Sequence, residues 1–347
     1  MLISPATQKK IQRFRSVKRG FRSFSILLCM IIISFFAEVF INSRALVVYH
    51  NGNFYFPTYS KMINGSEFGL GYEYETNYRD LKQKFQKENN RDFVILPPVP
   101  YNPYENDLKI NVYPPFAPSF KERHFLGTDN VGRDILARLV YGFRTAIVFS
   151  LVLLILNYTI GITLGCAMGY FGGKFDLFFQ RIIEIWNNIP FLYVIMIIAS
   201  VMIPSFMILL LIMAFFGWIG ITWVMRTMTY KEKQKEYILA VRSLGASHAR
   251  IIFRHIIPNT LSVIVTYAPF AVSGGIVALT SLDYLGFGFP APTPSWGELL
   301  SQGWQNMEAW WIAASVTAAL VITLMCVTFT GEGIREAFDP RRHTTYE

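Results

Sequence analysis

The sequence predicts an all-α polytopic membrane protein with six transmembrane helices. Three observations carry that reading. Only 16% of the 347 residues are charged, against 52% hydrophobic, whereas a soluble chain carries about 25% charged residues. Mean hydropathy is +0.34 with the polar stretches included. Six apolar stretches, near 24–41, 144–169, 182–203, 206–225, 261–281 and 310–330, each reach roughly the twenty residues that cross a hydrocarbon core. Disorder, coiled coil, collagen and a disulfide-rich scaffold are excluded by the same composition.

Residues 1–23 hold Lys9, Lys10, Arg13, Arg15, Lys18, Arg19 and Arg22 and no acid, which marks this end as cytoplasmic. The run 24–41 is not a cleavable signal, because Phe35, Phe36, Glu38 and Phe40 stand where small residues would be needed. It reads as a retained anchor. Glu38 lies near the outer end of that run, within reach of lipid headgroups. Residues 42–143 form an external insert rich in Asn, Tyr and Pro, almost neutral, in which only 79–89 reads as a helix. Phe54, Tyr55, Phe56 and Tyr59 give it something to bury, so a compact, loop-rich subdomain is expected.

The remaining spans and loops form a core over 144–330. In the second span Gly161, Gly165 and Gly169 repeat every four residues, leaving a flat strip on which another helix can pack closely. Asn187, Asn188 and Pro190 interrupt the third span. Proline removes a backbone donor and kinks the helix, and the two amides are candidates for a translocation path or for an interhelical hydrogen bond. The third and fourth spans abut at Pro204-Ser205. Seven basic residues between Arg226 and Arg254 place the loop 226–260 inside. Six crossings then return the tail 331–347, with Arg335, Arg341 and Arg342, to the cytoplasm.

The net charge of +9 is accounted for by these inner segments, so nucleic acid is not an expected partner; the lipid bilayer is. Enzyme signatures are missing: there is no HExxH, no GxSxG and no EF-hand loop. Gly172-Gly173-Lys174 is no phosphate loop, since Met168 and Phe175 occupy the positions of its first Gly and its Ser or Thr. Cys29, Cys166 and Cys326 lie in apolar runs and the five histidines are scattered, so no disulfide, zinc or other metal site is indicated. No cofactor is expected in this chain.

The loop Tyr237-Ile-Leu-Ala-Val-Arg-Ser-Leu-Gly245-Ala-Ser-His-Ala-Arg250, continuing to Pro258-Asn259, carries the most information. Its spacing predicts a helix over 236–244 with Tyr237, Ala240, Val241 and Leu244 on one face. Gly245 supplies a stop with positive φ and Ser247 an N-cap for a second short helix running to His255. Pro258 is expected to close that helix before the next span. Such a helix–turn–helix can dock in a partner's groove.

This loop resembles the EAA loop of ABC importer permeases, E-A-A-x3-G-x9-I-x-L-P, with Leu239-Ala240-Val241 at E-A-A and Gly245 at the glycine. Leu239 and Val241 depart from the pattern. Four further blocks are similar to the peptide and nickel branch of that family. They are His124-Phe-Leu-Gly-Thr-Asp-Asn-Val-Gly-Arg-Asp134 with Arg138 and Tyr141-Gly-Phe-Arg144; Gly169-Tyr-Phe-Gly-Gly173 with Asp176; Ser281-Leu-Asp-Tyr-Leu-Gly-Phe-Gly288 with Pro294-Ser-Trp-Gly297; and Gly331-Glu-Gly-Ile-Arg335 with Asp339-Pro-Arg341. The insert, with Tyr49-His-Asn-Gly-Asn-Phe-Tyr-Phe-Pro57, looks like the Yej-type subunit for peptides and microcin C.

The resemblance implies a type I ABC importer permease fold in the bacterial inner membrane, importing peptides or peptide-like compounds. It implies a heterodimer with a second permease subunit, two ABC ATPase subunits or domains that bind ATP and Mg, and a periplasmic substrate-binding protein. The coupling surface would consist of Tyr237, Ala240, Val241, Ser243, Leu244, Gly245, Ala246, Ser247, Arg250 and Pro258. The segments 42–123 and 282–308 are candidates for contact with the binding protein or for a lid. A nickel or other small-solute permease is the alternative within the family. A stand-alone secondary carrier is the alternative outside it, although such a carrier would place acids or histidines deep in several spans.

Overall fold

The computed structural model describes residues 5–88 and 91–338. In chain order the helices are α1 Pro5–Ser16, α2 Lys18–Phe35, α3 Ala37–Phe40, α4 Tyr78–Glu88, α5 Ile135–Phe171, α6 Gly173–Asn187 and α7 Phe191–Val201. There follow α8 Phe206–Gly217, α9 Ile219–Glu232, α10 Glu236–Ser243, α11 His248–Ile251, α12 Ile257–Tyr284, α13 Trp296–Gln305 and α14 Trp310–Phe338. Three strands, β1 Val47–His50, β2 Asn53–Tyr55 and β3 Phe93–Ile95, lie between α3 and α5. The chain divides into two compact units: residues up to Leu27 with Ala146–Pro290 and the stretch from Ile322, and Leu28–Thr145 with Ala291–Val321.

Among the described residues, Ile135–Phe171, Phe206–Glu232, His248–Tyr284 and Met307–Phe338 are each long and apolar enough to cross a membrane. The pair α6 and α7, bent by 64° at 188–190, makes a fifth if it is counted as one broken span. The bend falls where Asn188 ends α6 and Pro190 precedes α7, as a missing backbone donor requires. The run 24–41 differs from the other expected spans. Its helix starts among Lys18, Arg19 and Arg22 and breaks at Phe36, so the uninterrupted apolar part is short. Glu38 does not stand alone there, because Arg144 Nη1 donates to its Oε1 at 2.8 Å.

The all-α expectation needs correction in the insert. Its strands form an antiparallel sheet of order β2-β1-β3, with Val48 opposite Tyr55 on one side and Val94 on the other. Asn51 and Gly52, with φ of 50° and 85°, make the tight Asn-Gly turn that matches the twist of a hairpin. Strands of three or four residues carry too little alternation to be read from sequence. The expected helix 79–89 is present as α4, with Asn89 outside the described residues. It lays Tyr78, Leu81 and Phe85 against Val48, Phe68 and Val94, and each such side chain contributes about 1.5–3 kcal/mol by leaving water.

Candidate functional site

The basic loop is built on a buried anchor and an exposed tip. Ile238, Ile251, Ile252 and Ile256 are buried with Ile221, Met225 and Cys166, and Tyr237, Val241 and Ala246 pack on them. Tyr237 Oη donates to Glu232 Oε1 at 2.7 Å and accepts from Asn259 Nδ2 at 3.1 Å. Burial, and then the neighbouring Glu232, push the phenol up to about 12. Lys233 Nζ donates to the Gly169 and Tyr170 carbonyls at 2.8 and 3.3 Å, placing a cation at the end of α5.

α10 ends in a complete Schellman motif. Gly245 N donates to Arg242 O at 3.0 Å and Ala246 N to Val241 O at 3.3 Å, with Gly245 at φ 80°. No atom lies within 4 Å of a Cβ placed on Gly245, so the sign of φ, not crowding, demands glycine. Ser247 then caps α11, its Oγ accepting from Arg250 N at 3.4 Å.

Two expectations change. Tyr237, Ala240, Val241 and Leu244 do not share one face: Tyr237 and Val241 turn inward, while Ala240, Ser243 and Leu244 are exposed, Leu244 at 87%. Pro258 does not close the second helix either. α11 passes through a π-helical turn, Ile252–Ile256, straight into α12, where Pro258 sits in the first turn. The widened turn comes just ahead of the residue that lacks an N–H.

The three glycines of α5 form a seam against α9. A Cβ on Gly161 would lie 2.5 Å from Trp218 O, one on Gly165 2.5 Å from Thr222 O, and one on Gly169 2.5 Å from Arg226 O. Their partner is thus a helix of the same chain. Arg226 continues the contact, gripping Asp176 with two bonds of 2.6 Å. A second glycine crossing, missed in the sequence, joins α2 to α14, where a Cβ on Gly20 would stand 2.7 Å from Gly333 Cα. Asn187 and Asn188 are exposed at the α6–α7 break, and Asn188 Nδ2 donates back to Glu184 O of its own helix at 2.7 Å. The bond to a neighbour comes instead from Trp186 Nε1, to Phe215 O at 3.1 Å.

In the other unit the His124–Asp134 block meets the Pro294–Gly297 block. Arg133 Nε donates to Asp129 Oδ2 and its Nη2 to Glu298 Oε1, both at 2.7 Å. Arg138, wholly buried, pairs with Glu298 and donates to the Pro103 and Pro292 carbonyls at 3.0 and 3.2 Å. Trp296 Nε1 donates to Leu139 O at 2.9 Å, and a Cβ on Gly142 would meet Trp296 at 2.9 Å. His124, read from sequence as one of several scattered imidazoles, is fully buried between Asp134 at 2.7 Å and Asp107 at 3.1 Å, under Tyr101. Burial works against its charged form, but the two carboxylates outweigh burial and its pKa lies above the ordinary value. The bond from His124 in turn lowers that of Asp107. Asp339 and Arg341 of the last block lie outside the described residues.

The family profile described as "Binding-protein-dependent transport system inner membrane component" matches residues 161–344, which include the whole basic loop and the glycine seam. The chain belongs to this family. It is similar over nearly its full length to the peptidoglycan transport system permease protein YejE of Agrobacterium fabrum, at 37% identity with 98% of this chain and 94% of that protein covered. It is equally similar to the inner membrane ABC transporter permease protein YejE of Escherichia coli, at 37% identity with 98% of each covered. The oligopeptide transport system permease protein OppC of Haemophilus influenzae is 34% identical over 65% of this chain and 73% of its own length. The chain is accordingly a multi-pass inner-membrane permease component of an ABC importer, a subunit type that carries no catalysis of its own.

Proposed function

We propose that this subunit translocates peptides or peptide-like compounds inward across the inner membrane, driven by ATP hydrolysed on partner subunits that dock on α10 and α11. One observation carries the coupling role: Leu244 is held out at 87% exposure by a Schellman turn whose underside is anchored in the core. An apolar knob on a rigid stem transmits a push without bending, and with Leu239, also exposed on α10, it offers a partner's groove an apolar contact. In this reading the chain crosses six times, with α2–α3 as the first crossing. Both termini and the basic loop are cytoplasmic and the insert is periplasmic. A second permease subunit completes the path, to which Asn187 and Asn188 contribute at the broken span. A periplasmic binding protein delivers the substrate.

The substrate class follows the relatives, whose names speak of peptidoglycan and oligopeptide transport, with microcin C as the further candidate. Peptide uptake in a deletion strain complemented with this chain tests it: restored uptake of short peptides or of muropeptides is expected, and uptake of neither refutes the reading. Labelling in a cysteine-free background tests orientation. Ser66→Cys, exposed in the insert, should react from the periplasm, and Ser247→Cys only from the cytoplasm. The reverse pattern inverts the topology.

A further inference from the structure

The insert contains a cleft whose lining is organised around charge. α4 turns its apolar residues to the core, and its opposite stripe, Arg79, Lys82, Gln83 and Gln86, forms one wall of a cavity of about 580 Å3. Leu96, Pro100, Tyr101 and the turn 121–123 complete it. That volume lies within the range of small-ligand sites. Several of the charges lining it are already used: Arg79 by Glu105, Asp107 by His124, and Glu122 by Lys109. Among the described residues Lys82 and Lys121 make no ion pair, and Arg123 has a single long bond, 3.4 Å to Pro97 O. Against these three cations the cleft holds one uncommitted carboxylate, Asp80. Among the described residues the exposed side-chain amides of Gln83 and Gln86 make no hydrogen bond, and Leu96 and Pro100 supply apolar lining, the Tyr101 ring being already covered by Arg79 and His124.

We infer that this cleft binds acidic peptides, with Lys82, Lys121 and Arg123 on the carboxylates and Gln83 and Gln86 on the amide groups. Lys82 and Arg123 are half-buried without a carboxylate partner, which favours an arriving anion, and the exposed Lys121 adds charge at the rim. Paired amides beside them match a backbone, where a bare ion would leave them idle. The cleft would gather anionic peptides on the insert before translocation. The inference rests on the peptide reading above, so binding and uptake are measured separately.

The full-length chain, purified in detergent, is titrated calorimetrically with glutamyl-glutamate, lysyl-lysine and inorganic phosphate. Glutamyl-glutamate should bind saturably, and lysyl-lysine and phosphate at least about tenfold more weakly. The double variant Lys82→Gln/Lys121→Gln should lose at least about tenfold in glutamyl-glutamate affinity with an unchanged melting temperature. The single variant Lys121→Glu, at an exposed position, should lose more than Lys121→Gln. Equal binding of the two dipeptides, no saturable binding, or binding indifferent to these variants would overturn the inference. So would phosphate competing as well as the dipeptide, or variants that weaken only binding-protein association. Peptide uptake that persists while the cleft binds nothing would sink the cleft alone, whereas absent uptake by the wild-type chain would sink the transport reading.

Discussion

The glycine seam of one unit and the charge network of the other solve the same problem, holding long segments in register, by opposite means. At the seam nothing polar is exchanged between side chains of α5 and α9 at Gly161 and Gly165; the backbones simply come within 2.5 Å of where a Cβ would be. In the network Arg133, Arg138 and Asp129 are taken out of water and must be paired, and the partly buried Glu298 closes the pairing. A seam of small residues works inside lipid, where hydrocarbon removes any hydrophobic drive between helices and close contact is what remains. A buried charge network fixes one arrangement because every alternative strands a charge. The seam should therefore fail by crowding and the network by loss of a partner.

The largest effect is expected in the network. Arg138→Ala leaves the buried Asp129 and the partly buried Glu298 to share Arg133 alone, one charge short, and it should destabilise the unit by about 3–5 kcal/mol. Arg138→Met, which keeps the volume, should not rescue it. Proteolysis of the insert in membranes reads the loss, and full resistance in both variants would show that the network is dispensable. Gly165→Leu drives a side chain into the Thr222 carbonyl and should cost roughly 1–3 kcal/mol or more. It should lower the melting temperature of the purified chain without altering the protease pattern of the insert. A variant that melts like wild type would mean that the seam yields.

A third expectation separates both regions from the exposed loop. Gly245→Val forces a β-branched residue to φ 80°, a strain of about 1–3 kcal/mol. Because the tip is exposed, the subunit should still accumulate while uptake and ATPase co-purification fall. Normal uptake would sink the coupling role of this turn.

The network also has a pH signature that the seam lacks. His124 has a folded pKa raised above 6.5. Its contribution is complete below the unfolded value and is lost as pH rises through the folded one. Hydrogen-exchange protection in 124–134, corrected for the intrinsic base-catalysed rate, should fall as pH rises above 6.5 through the raised folded pKa, and His124→Gln should flatten that dependence. An equally steep profile in the variant would assign it to another group. Smallest of all, Leu244→Ser should leave the stability of the chain within about 0.5 kcal/mol of wild type, yet weaken ATPase co-purification. Undiminished co-purification would remove Leu244 from the docking surface.

What the sequence determined by itself is whatever depends on neighbours within one or two helical turns. Glycines at 161, 165 and 169 dictate a flat face, Gly245 a reversal and Ser247 a cap, because these follow from local backbone geometry. The break at Pro190 is local too. Tertiary structure alone decided which helix fills the glycine face, that Ile238 rather than Ala240 and Leu244 points inward, and that α11 runs on through Pro258 into α12. It also decided the insert sheet, where β1 finds β3 more than forty residues later, and the pairing of Arg133 with Glu298 across 165 residues. His124 looked idle because both of its carboxylates, Asp107 and Asp134, are brought to it by folding. Periodicity reports which residues avoid water; which charges meet is set by the path of the chain in space, and a single sequence carries no local trace of that path.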